Sequence, residues 1–287
     1  MQLLNKHENQ NGRGLTFDLW KNFPADEILI RKDSNVGIGC QLDPAASPYA
    51  AASSTNTVAG SGARAFTDAA STINGLAQAQ YAGGAGMRML ASADNGAAEV
   101  QLGGGGEPFI ISDTAADVKE LVLECHFRVN SVTADDGAFF IGLASAQALD
   151  GDLIADNGAA PADVDLIGLF HAHADTTGVD MVYQKAGGGL ITHETDFATI
   201  AADTWYVFGM RYLPQTKKID LYWGTGDRTT MAVAKDANPI VSTDIDDATF
   251  PDGEGLCPTF VIKGGHADDK TLDIRTFAAA QVAYPTD

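Results

Sequence analysis

His171 and His173 stand two residues apart in the stretch FHAHAD. In a β-strand that spacing sends both imidazoles out of one face. Two neutral imidazoles with Asp175 as a third ligand would suit zinc, which takes nitrogen and carboxylate oxygen in a tetrahedral shell. The other histidines, His7, His126, His193 and His266, are scattered singly, and no third ligand is fixed by spacing. The dyad therefore reads as the end of an apolar strand that faces solvent or a neighbouring subunit, and no metal ligand is expected. Two acidic loops, DGDLIADNGAAPADVD (150–165) and TDIDDATFPDGEG (243–255), offer oxygens to calcium. Calcium takes about six to eight oxygens, and neither loop has EF-hand spacing. Solvated loops are the simpler reading, with a bound cation as the alternative.

Catalytic signatures are missing. There is no Gly-x-Ser-x-Gly elbow, no His-Glu-x-x-His and no phosphate-binding loop. The glycine runs 103–106 and 187–189 lack a following Lys-Ser/Thr or a helix. A glycosidase needs two carboxylates across a cleft, whereas the strand-like runs carry single acids: Glu124, Asp180, Asp220 and Asp273. The chain thus reads as a non-enzyme with no catalytic residues and no cofactor. Trp205, Tyr206, Tyr212, Tyr222 and Trp223 could form a sugar-stacking platform, but TWYVFGMRYL (204–213) is apolar on both faces, which favours core packing.

The elements that must position these residues are short. In ELVLECHFRVNS (120–131), Leu121, Leu123, Cys125, Phe127 and Val129 alternate with Val122, Glu124, His126 and Arg128, the pattern of a half-buried strand. AFFIGLAS follows the turn Asp135-Asp136-Gly137, which predicts a hairpin. DLIGLFHAHA, VDMVYQKAGGG, TWYVFGMRYL, KKIDLYWG, PTFVIKGG and TLDIRTFAAAQVA continue the series. Each is bounded by turn residues, and only residues 145–149 hint at a helical turn. Many short strands predict an all-β antiparallel sandwich. Leu123, Phe127, Ile141, Phe170, Phe208, Leu221 and Phe260 are its expected core.

Charge divides the chain. Residues 1–88 hold seven Lys/Arg and seven Asp/Glu, while residues 89–287 hold 11 against 31, the whole of the net −20. Such a field repels phosphate backbones, so no nucleic-acid partner is expected. No apolar run reaches the roughly 20 residues of a membrane span, and the first residues lack the apolar stretch of a signal peptide. Cys40, Cys125 and Cys257 are widely spaced and read as free thiols of a protein made in a reducing cytoplasm. Residues 1–62 read as an extended N-terminal arm followed by an Ala/Ser/Gly-rich linker, and residues 63–287 as the sandwich. The arm's large apolar side chains keep no period and need a partner surface. Phe17, Trp20 and Phe23 are its candidate partner-binding residues.

The run TWYVFGMRYLPQTKKIDLYWGTGD resembles the final strands of concanavalin-A-like jelly rolls: a Trp-led strand, a turn, then a strand ending in Leu-Tyr before a Gly turn. With ELVLECHFRVNS and AFFIGLAS the resemblance covers about 100–287. It implies an antiparallel jelly-roll β-sandwich and, at the level of class, a lectin-like module. The order of arm, small-residue linker and acidic sandwich is similar in architecture to capsid decoration (cement) proteins of tailed phages. That likeness implies a virion structural protein, synthesised in the host cytoplasm. It would sit on the capsid surface, bind the major capsid protein and associate with itself as a homotrimer. The alternative is a carbohydrate-binding module of a virion fibre or receptor-binding component.

Overall fold

A computed structural model describes residues 19, 39–42, 63–67, 71–76, 86–102, 107–112, 114, 119–146, 153–156, 158–226, 232–266 and 268–283. Phe17, Trp20 and Phe23, the linker 44–62, the glycines 103–106 and residues 147–149 lie outside them. The strands of the first half are β1 (Gly39–Leu42), β2 (Ala63–Thr67), β3 (Thr72–Leu76), β4 (Gly86–Ala91), β5 (Ala97–Leu102), β6 (Phe109–Ile110), β7 (Lys119–Val129) and β8 (Gly137–Ala144). Those of the second half are β9 (Leu166–His171), β10 (Gly178–Gln184), β11 (Ile191–Thr199), β12 (Tyr206–Leu213), β13 (Lys218–Thr225), β14 (Ala232–Lys235), β15 (Gly255–Gly264) and β16 (Lys270–Ala283). Helix among the described residues is confined to Leu19 and short turns such as Ser242–Ile245.

All strand pairs are antiparallel, and they build two sheets. The first runs β14-β13-β12-β7-β16-β4-β3, and the second runs β11-β10-β9-β8-β15-β5-β2. β7 lies along β16 from Leu272 to Ala283. The other edge of β16 is shared by β4, opposite Lys270–Ile274, and β1, opposite Phe277–Ala280. The alternation in the sequence becomes the space between the sheets. Leu121, Leu123, Cys125, Phe127 and Val129 face inward with Phe208 and Leu221, and from the second sheet Ile141, Leu169 and Phe260 meet them. Stacked sheets of this kind interdigitate their inner faces over about 10 Å.

Three expectations need correction. Residues 120–131 and 138–145 do not form a hairpin: β7 belongs to the first sheet and β8 to the second, and the segment between them arches from one to the other. Phe127 and Phe139 meet across the core, their centroids 5.8 Å apart. Phe170 does not lie between the sheets. It sits on the outer face of the second sheet with Phe140, Leu166 and Val182, beneath Leu153 and Ile154. Nor is β7 half-buried, because its outer face is covered: Val122 and Glu124 are 0% exposed and His126 is 2% exposed.

Candidate functional site

The connections 92–96, 130–136, 172–177, 200–205 and 265–269 all fall at one end of the sandwich, as the antiparallel pairings require. Main-chain bonds join them. Asp135 N–H donates to His173 O (2.8 Å), Gly265 N–H to Asp136 O (2.9 Å) and Asp203 N–H to Val129 O (2.7 Å). Loops so tied form a fixed surface that can present side chains in a defined geometry.

HAHAD lies in this end, and its two imidazoles part. β9 stops at His171, so the strand alternation does not carry on to His173. His171 is 2% exposed, not turned to solvent. Its ring stacks on Phe139 (centroids 5.2 Å apart, planes at 24°) and Nδ1 lies 2.6 Å from Gly178 O, which fixes the proton on Nδ1. Burial pushes its pKa below the ordinary value, partly offset by the Gly178 carbonyl and by Asp175 and Asp180. His173 packs instead against Gly158 and Gly265 and stands edge-on to His266, 6.4 Å between centroids. Asp175 does not complete a ligand set. Among the described residues no group of three or more His, Cys, Asp or Glu is placed to hold a metal ion.

Beside His171 runs a cleft edged by Ser131, Phe139 and Lys270. Ser131 Oγ–H donates to Asp136, and Lys270 Nζ lies 3.1 Å from the other oxygen of that carboxylate. The Ser131 hydroxyl, and then Lys270, hold the Asp136 carboxyl below its ordinary range. The cleft has room for little more than a single water molecule, far below the roughly 300–1,000 Å³ of enclosed small-molecule sites, so a ligand here would bind at the surface.

A second polar group occupies the same end on the outer face of the first sheet. Asp273 of β16 accepts two bonds from Arg88 of β4 (2.7 and 2.8 Å) and two from Arg128 of β7 (2.6 and 3.2 Å). The Arg128 guanidinium also lies over the Trp205 ring at 4.9 Å, and that of Arg275 at 5.8 Å. Of the aromatic platform, only Trp205 takes part. Tyr206 and Tyr212 are in the core, and Trp223 packs against it, stacked on Tyr206. Sequence reading missed the Arg88–Asp273–Arg128 group because 185 residues separate Arg88 from Asp273.

Among the described residues the acidic loops spend their carboxylates separately. In 150–165, Asp156 pairs with Lys263 (2.8 Å), Asp163 accepts from Gln184 and Gly187, and Asp165 accepts from Ala186. Leu153 N–H donates to the buried Glu99 (3.2 Å), so this loop is a lid on the outer face of the second sheet. In 243–255, Asp244 accepts from Val241 N–H, Asp247 accepts from Thr249, and Asp252 and Glu254 flank Lys185. Cys125 and Cys257 are buried, and the Cys257 thiol donates to Ala144 O (3.2 Å).

No family model and no curated protein matches this chain. Solved structures do match in shape. The lectin UEA-II complexed with galactose is 11% identical, with 86% of this chain and 100% of that chain covered and a TM-score of 0.54. A protein of unknown function from Shewanella oneidensis MR-1 is 12% identical, with 89% and 91% covered and a TM-score of 0.52. At such identity the likeness is one of fold. Two antiparallel sheets packed face to face, with their connections gathered at the ends, make this chain a concanavalin-A-like jelly-roll sandwich.

Proposed function

We propose that this chain is a non-enzymatic, lectin-like binding module that takes a carbohydrate at the loop end bearing His171, Ser131 and Lys270. What supports this reading is the polar group Ser131–Asp136–Lys270 at the loop end, set on a fold like that of a galactose-complexed lectin. Saccharides suit shallow sites in which hydroxyls replace water on fixed donors and acceptors. The non-enzymatic part is supported by the covering of both outer faces. Loop 153–164 lies on the second sheet, and the first sheet's outer carboxylates Glu124, Asp220 and Asp273 are buried. Among the described residues these three carboxylates are not placed to flank a glycosidic bond. A glycan array probed with the labelled full chain tests the reading. Retention of one glycan class, weakened by Ser131→Ala, is expected; uniform failure to retain any glycan would overturn it.

The charge division favours a second reading, capsid decoration. In it the acidic sandwich faces outward, and the balanced segment 1–88 approaches the major capsid protein without repulsion, with Phe17, Trp20 and Phe23 as contacts. Co-sedimentation with undecorated shells, by protein that binds no glycan, would select this reading.

A further inference from the structure

The cleft at the loop end is the mouth of the space between the sheets. Val129, Lys270 and Thr271 reach it from the first sheet, and Phe139, His171 and Ile262 from the second. It has room for little more than one water molecule. His171 and Lys270 enter it almost wholly buried: His171 is 2% exposed and the Lys270 side chain 9%. A carbonyl oxygen can only accept, so the bond to Gly178 O uses the proton on Nδ1 and leaves a lone pair on Nε2 of the neutral ring. Burial favours that neutral ring. Among the described residues no hydrogen bond reaches Nε2. Lys270 brings the opposite character. Its stem crosses to the second sheet, Cγ lying 3.4 Å from where a Cβ on Gly137 would stand. Its ammonium spends one N–H on Asp136, 3.1 Å away, and has donors left over. The neighbouring polar groups are committed, the Asn130 amide to Asp269 O and Thr271 N–H and the Ser131 hydroxyl proton to Asp136.

A buried acceptor and a buried donor that share one small space need a group able to answer both. A hydroxyl oxygen does so, accepting from the ammonium and donating to the imidazole. A carboxylate has no proton for Nε2 and sets its charge against Asp136, while an amine cation cannot accept from Lys270 and is repelled by it. We infer that the cleft is a binding site for a single hydroxyl oxygen, held between Lys270 Nζ and His171 Nε2. Water takes the site in the free protein and there links the two sheets. A saccharide hydroxyl takes the water's place in the complex. That replacement rests on the carbohydrate reading, whereas the water site does not.

NMR of the full chain with labelled histidine tests both halves. In the free protein a cross-relaxation contact should join a bound water to the His171 ring. It should be lost in Lys270→Met, which keeps the stem and removes the donors, while circular dichroism stays unchanged. No contact in the unaltered chain, or one that survives Lys270→Met, would overturn the site. Methyl glycosides of neutral hexoses are then the probes. One that binds should abolish the contact as it saturates the protein, and Lys270→Met should weaken its binding roughly tenfold or more. A glycoside that binds while the contact persists would overturn the replacement and leave the carbohydrate reading standing. Failure of every glycoside to bind, with the contact intact, would overturn the replacement and the carbohydrate reading together and support the water site.

Discussion

Phe127→Ala should be among the most damaging single changes in this protein. Phe127 is 0% exposed and touches three rings: Phe139 of the opposite sheet at 5.8 Å, Tyr206 at 5.9 Å and Trp223 at 6.0 Å between centroids. Truncating a core Phe to Ala costs about 3–5 kcal/mol, the larger values arising where the surroundings cannot close the void. Collapse is restricted here. Phe127 pairs across its strand with Tyr206 on one side and Ile274 on the other, so the backbone is held from both edges. Aromatic pairs add about 0.5–1.5 kcal/mol each beyond burial. The expected loss is therefore at the upper end, about 4–5 kcal/mol. Phe197 is the internal control: it is 8% exposed on β11, an edge strand of the second sheet, where relaxation is easier. Urea unfolding of both variants, followed by tryptophan fluorescence and circular dichroism, measures the difference, with an unchanged m-value certifying the same native and unfolded states. A Phe127→Ala loss below about 2 kcal/mol, or one no larger than that of Phe197→Ala, would refute the account of the core.

His171 should titrate below its ordinary value of 6.5, because burial disfavours its charged form. The fold then holds fewer protons than the unfolded chain as pH drops beneath 6.5, so stability present at neutral pH is lost through that window. His171→Phe should flatten the slope, and an NMR midpoint at or above 6.5 would contradict the assignment. Gly142→Ala should destabilise by about 1–3 kcal/mol or more through overpacking. Its Cβ would stand 2.2 Å from Ile167 O and 2.7 Å from Gly168 Cα, neither of which can swing away. A melting temperature equal to that of the unaltered protein would show that the strands yield. Chelators should leave the melting temperature unchanged; a zinc-dependent rise abolished by His173→Ala would restore the metal reading of HAHAD.

The period-two pattern made β7, β12 and β15 legible, because one face of each strand must be apolar to meet the other sheet. The same logic hid which sheet each strand joins. β7 and β8 each turn an apolar face to one core from opposite sides, and a connection holding Asp135-Asp136-Gly137 serves an arch as well as a hairpin. Phe170 was misplaced for a related reason: a second apolar layer, built by Leu153 and Ile154, makes an outer face look like an inner one. In HAHAD the letters alternate past the point where the backbone turns. His173 N–H donates to Gly158 O and Asp175 N–H to Ala172 O, and no residue type in the stretch announces either bond.

The place of β16 bears on how the molecule can be made. It is the last strand in chain order yet stands inside the first sheet, with β7 on one edge and β4 and β1 on the other. During synthesis β7 must wait for residues 270–283 before that edge is paired, and until then it exposes unpaired backbone groups of the kind that invite association. The sandwich therefore closes only after translation has passed residue 283, joining segments some 240 positions apart at the β1–β16 ladder. Contacts of such range fold slowly. A ribosome stalled before β16 emerges should hold a chain that proteases and chaperones still recognise as unfinished.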